Sequence, residues 1–123
     1  MKTSFDPRHK RRQHLMQEIF STEFHDQEVS DESKEVLKHT TFLDSEIQKA
    51  APDFPVDKIN KVDLAILRLA IYELLIEKKV PQNVIIDEAV ELAKEFANDT
   101  SPSFINGVLG HISAKRKGES VKE

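Results

Sequence analysis

Five consecutive residues, Arg8-His9-Lys10-Arg11-Arg12, place four cations and a histidine just ahead of the first apolar pair, Leu15 and Met16. Guanidinium forks match phosphate oxygens bidentately and stack on bases. Each phosphate neutralised also releases condensed counterion, so such a cluster points first to nucleic acid. Lys2, Arg8, Lys10, Arg11 and Arg12 against Asp6 give +4 over residues 1–14, so the remaining residues carry -8 of the total of -4. That polarity suggests one end facing a polyanion. Cations in a first helical turn oppose the macrodipole by about 0.3–1 kcal/mol, so local stability does not account for them. From the residues alone, a binding face and a solvated helix face both stay open.

Other chemistries find less support. The three glycines, Gly107, Gly110 and Gly118, leave residues 1–106 without a glycine loop to cradle phosphate, which excludes Rossmann and P-loop nucleotide sites. Absent cysteine removes disulfide scaffolds, thiolate nucleophiles and Cys-ligated metal. The five histidines form no i, i+4 pair around a carboxylate, so no metal is expected; His14 one turn before Glu18 suits a surface hydrogen bond. Gly107-Val108-Leu109-Gly110 matches a bare GxxG, but its middle residues read as core. Gly107 is expected to permit close helix packing and Gly110 to break or end the last helix. No serine sits on a strained elbow, and no catalytic centre or cofactor site emerges. The start lacks an apolar signal core, and no run approaches the roughly 20 residues that span a bilayer, so a soluble cytoplasmic protein is the expectation.

The elements that must position the cluster read as helices. Leu15, Met16, Ile19, Phe20 and Phe24 recur at helical spacing after Pro7, giving a helix over about Arg8 to Phe24. Val36, Leu37, Thr40, Leu43, Ile47 and Ala50 form a second stripe, capped by Ser33 and ended by Pro52, so helix two is about Ser33 to Ala50. Asn60 with Asp63 imitates a capping box before VDLAILRLAIYELL, apolar on nearly all sides and so the centre of a bundle. A weak turn is expected over Val56 to Asn60, a further helix over Ile85 to Ala97, and a short last helix from Ser101. Lys115, Arg116 and Lys117 read as compensation of that helix's dipole. Arg68 and Glu73, charges inside the apolar helix, call for a structural polar network. No strand alternation occurs, so the class is all-α, a compact bundle. The expected division is a flexible N-terminus (1–7), a helical domain carrying the cationic cluster (8–113) and a flexible charged tail (114–123).

Three blocks then stand out: VDLAILRLAIYELL at 62–75, VPQNVIIDEAVELAKEF at 80–96 and SPSFINGVLGHI at 101–112. With RHKRRQHLMQEIF at the start, they resemble the bacterial transcription antitermination factors of the NusB family. The resemblance implies that the 8–113 domain is RNA-binding and built of two small helical subdomains, with no enzymatic activity. It further implies binding of boxA-type RNA of ribosomal RNA transcripts together with the ribosomal protein NusE, so that RNA polymerase resists termination. Carried over by position, Arg8, Lys10, Arg11 and Arg12 correspond to the family's basic RNA-facing segment. Phe20 stands where a tyrosine beside the RNA is common, and Phe104 matches an aromatic near the RNA surface that also reads as core. Asp63 matches an acidic position on the side that receives the ribosomal protein, while Asp87 stands where an asparagine is common. Two other classes remain open, an accessory RNA-binding domain of an RNA-modifying enzyme and a helical protein-interaction module.

Overall fold

The computed structural model describes residues 6–122, with side chains described over 6–116, so Lys2 and the side chain of Lys117 lie outside the described residues. Among the described residues there are six α-helices and no strand. Helix α1 (Pro7–Ser21) starts where Asp6 accepts the Arg8 amide at 2.9 Å and Pro7 supplies a preset φ in the first turn.

The second stripe is two helices, α2 (Asp31–Leu37) and α3 (Thr40–Ala50). Neither glycine nor proline marks the break at Lys38 and His39. Redirecting the chain there lets α2 pack on α1 while α3 packs on the central helix and the last one. The cap is Ser30, and the expected cap Ser33 is instead fully buried, its hydroxyl donating to Glu18 Oε1 at 2.8 Å.

After a 3-10 turn (Val56–Lys58), α4 (Lys61–Tyr72) begins with Asn60 Oδ1 accepting the amides of Val62 and Asp63 at 2.8 and 3.3 Å. Every residue from Asp63 to Ile71 is buried, which makes α4 the axis of the core. Each such Leu or Ile stabilises by about 1.5–3 kcal/mol. The helix then widens into a π segment (Glu73–Glu77), closed by the i→i+5 bond from Lys78 N to Glu73 O at 2.9 Å. Lys78 ends it in the left-handed region, at φ 56°. The expected polar network is present: Arg68 donates to both oxygens of Asp44 at 2.9 Å and to Glu23 at 2.8 Å.

Helix α5 (Gln82–Phe96) begins directly after Pro81, and α6 (Ser101–Lys122) is long where a short helix was expected. Gly107 and Gly110 do not interrupt α6, and an added Cβ at either would meet nothing within 4 Å, so neither permits close packing. A mid-helix glycine costs only about 0.5–1 kcal/mol. Burial of Ile105, Val108, Leu109 and Ile112 on one face outweighs that. Because the helix continues, Arg116 is not in a last turn; its guanidinium donates to the Leu74 carbonyl within the π segment. The helices α1 to α3 and α4 to α6 share one continuous apolar core. Among the described residues, no helix is long and apolar enough to cross a membrane.

Candidate nucleic-acid interface

The cations of α1 divide by where the helix turns them. Arg8 is exposed and grips its own cap, Nε and Nη2 donating to Asp6 at 3.2 and 3.0 Å. Those bonds hold the Asp6 carboxyl down at about 2. Lys10 is exposed, and Arg11 crosses to Glu32 of α2 in a pair open to solvent on both sides. Exposed pairs contribute about 0–1 kcal/mol, so phosphate can take the place of these carboxylates at little cost.

Arg12 departs from the expectation. It is 5% exposed, and its Nε and Nη2 donate to Glu73 at 2.9 and 2.7 Å, with Glu88 3.6 Å from Nη1. Burial disfavours the charged guanidinium, but the Glu73 carboxylate outweighs it and raises its proton affinity above the ordinary value. Arg12 is therefore committed to the fold and does not lie on the displayed cationic surface. The sequence carried a signal: positions 9, 12, 16 and 19 fall on one helical face, and all four are buried.

His9, which the sequence reading left without a role, continues this network. Its Nδ1 lies 3.0 Å from Glu88 Oε1 and its Nε2 2.6 Å from Glu95 Oε1, both on α5. Burial works against the imidazolium, yet the two carboxylates prevail and raise the His9 value above 6.5. Together Glu73, Glu88 and Glu95 clamp the first two turns of α1 onto the π segment and α5. His14 stands 3.5 Å from Glu18, within ion-pair reach, while the hydrogen bonds to that carboxylate come from Ser30 and Ser33.

The aromatic positions lie elsewhere. Arg12 meets Glu73 while Lys61 meets Glu23 at 3.4 Å, so α1 and α4 run antiparallel. Phe20 is then roughly 12 Å along the axis from Arg12, half-buried with its ring 4.9 Å from Phe24. Phe104 is half-buried on α6, its ring 5.2 Å from that of the 54% exposed Phe54. Its helix packs on α4, whose first turn holds Asp63, about 15 Å of helix away from Glu73. The structure thus brings the cations together but sets Phe20 and Phe104 apart from them. Asp63 is 6% exposed, with Oδ1 lacking a hydrogen-bond partner among the described residues, and burial pushes its carboxyl above the usual range.

One cation absent from the expected set does join them. Lys79, in the turn between the π segment and α5, is exposed and has neither a hydrogen bond nor an ion pair among the described residues. It lines two clefts. The smaller, about 300 Å³, holds Arg11, Glu32 and Tyr72, and the larger, about 600 Å³, holds Arg8, Val80, Pro81 and Val84. Among the described residues no group of three or more His, Asp or Glu could hold a metal ion.

Comparison with known proteins agrees with this helical frame. The model of the NusB family matches residues 8–114. The transcription antitermination protein NusB of Chloroflexus aggregans is 40% identical over 116 residues, covering 86% of this chain and 77% of that protein. Its counterpart in Geobacter sulfurreducens is 44% identical over 79 residues, covering 64% of this chain and 57% of that one. The solved structure of T. maritima NusB superimposes with a TM-score of 0.76 at 30% identity, over 97% of this chain and 99% of that one. Since the matched span takes in the cationic helix, the central axis and the start of α6, and the fold is shared over nearly the whole chain, the protein belongs to the NusB family.

Proposed function

We propose that this protein is a non-enzymatic transcription antitermination factor. In this reading it acts in the cytoplasm, binding boxA-type RNA of ribosomal RNA transcripts together with the ribosomal protein NusE and helping RNA polymerase resist termination. The observation that carries the reading is a family match spanning an α1 whose Arg8, Lys10 and Arg11 stand at the surface on a rigidly clamped helix. Clamping matters because a cation held in place loses less freedom on meeting a phosphate than one on a mobile arm. Arg8 and Arg11 already have carboxylate neighbours, so affinity for RNA alone should be low, which favours a partner that adds surface. Phe20 supplies a ring face for stacking further along the helix, Phe104 is a second aromatic for the strand at the end away from the cations, and Asp63 marks the side that receives the protein partner.

The test is an RNA titration with and without NusE at two salt concentrations, repeated with Lys10→Glu and Arg11→Glu together. Arg12 is left in place because its loss would disturb the fold. Binding should be lost with helicity unchanged, and a variant that binds as tightly as the parent would show the amino-terminal site to be wrong.

A further inference from the structure

We infer that the cleft between α1 and the Lys79–Val84 segment seats one nucleotide of the bound strand, with Lys79 and Arg8 on its phosphate and its base against Val80, Pro81 and Val84. This rests on the RNA-binding reading above and adds a site to it. The cleft, about 600 Å³, falls in the range of small-ligand sites, and it combines apolar lining with charge at the rim. Val84 is 40% exposed there, apolar surface that a flat base face would cover. A nucleotide has the same mixed character, an anionic end and a stackable ring.

The charges sort which end goes where. Asp6 is neutralised by Arg8, and Glu88 is held by His9 and lies 3.6 Å from Arg12. That leaves Lys79 and Asp87 as the two side chains of the cleft with no partner among the described residues. A phosphate is drawn to Lys79 and kept from Asp87. The acceptor-only Asp87 carboxylate suits the amino edge of a base, as carboxylates accept from cytosine N4 elsewhere.

The experiment compares the parent, Lys79→Gln, Val84→Glu and a remote control, Lys94→Gln, with a labelled boxA-type RNA and NusE over a salt series, with circular dichroism to verify folding. Lys94 pairs with Glu91 on the solvent side of α5, so its loss should leave binding unchanged. Lys79→Gln should weaken binding roughly three- to tenfold at the lower salt and reduce the slope of log affinity against log salt by about one. Val84→Glu, which puts a carboxylate on the base seat, should weaken it at least as much. Cytidine monophosphate should compete only poorly, and competition as strong as that of the RNA would show a free nucleotide, not a strand, as the occupant and overturn the assignment. Parent-like affinity and slope in Lys79→Gln would also overturn it. If the parent binds and only the Lys10/Arg11 variant fails, the cleft alone is wrong. If the parent with NusE binds no RNA, the functional reading falls and takes the cleft with it.

Discussion

Replacing Arg12 by methionine keeps the length and apolar stem of the side chain and deletes its charge. Glu73, 3% exposed, would then lose both of its guanidinium bonds, and it would face Glu88 with no cation between them. Breaking a buried pair from one side costs about 3–5 kcal/mol, a large part of the 5–15 kcal/mol that holds a typical domain together. Glu73→Ala should cost less, about 1.5–3 kcal/mol, because Arg12 keeps Glu88 at 3.6 Å. The double change of Arg12 and Glu73 to methionine leaves no orphaned charge between them and should recover most of the loss. Urea denaturation of the four proteins measures this through the midpoint at unchanged m-value. A loss below about 1 kcal/mol for Arg12→Met, or a double variant no better than the single, would refute the argument that this pair holds the helix end.

Protonated His9 gives a second expectation, since its folded value is raised above 6.5: its stabilisation is complete below about pH 6.5 and fades as pH climbs through the folded value. The stability gap between the parent and His9→Gln should therefore narrow with rising pH, and a gap that widens would contradict the carboxylate bridge. Lys78→Gly should raise stability by about 0.5–1 kcal/mol, read as an upward shift in Tm, because φ 56° strains any side chain and glycine's greater unfolded freedom offsets only part of that relief. Gly107→Ala and Gly110→Ala should each stabilise by about 0.5–1 kcal/mol in the same assay, as both are helical and face open space.

Much of the helical layout was legible because the stripes are strong. Leu64 to Ile71 leave no polar face apart from Arg68, and Asn60 announces the start of α4. The break between α2 and α3 was not, since Val36, Leu37, Thr40 and Leu43 keep helical spacing across it and only packing against two different neighbours separates them. The end of α6 was misread from glycines, whose modest local cost yields to burial on the opposite face. Within the site, residue type identified the cations, but type alone could not tell Arg12 from Arg11. One residue is 100° of rotation, enough to turn one guanidinium into the core and leave the other in solvent. His9 and Lys79 were not legible for a related reason: the partners of His9 come from α5 and the neighbours of Lys79 across the cleft from α1, both distant in sequence.

That widened stretch after Tyr72 can be viewed as an ordinary helix that has accepted one surplus residue. Deleting Leu75 or Ile76 would turn the i→i+5 bond from the Lys78 amide to the Glu73 carbonyl into an ordinary i→i+4 bond between the same two groups. The coil would tighten to regular pitch, while the buried positions up to Ile71 and the turn carrying Lys79 kept their places. The surplus residue is thus absorbed locally, and the hollow facing the amino-terminal helix depends on where Lys78 is held and not on how many residues lead up to it.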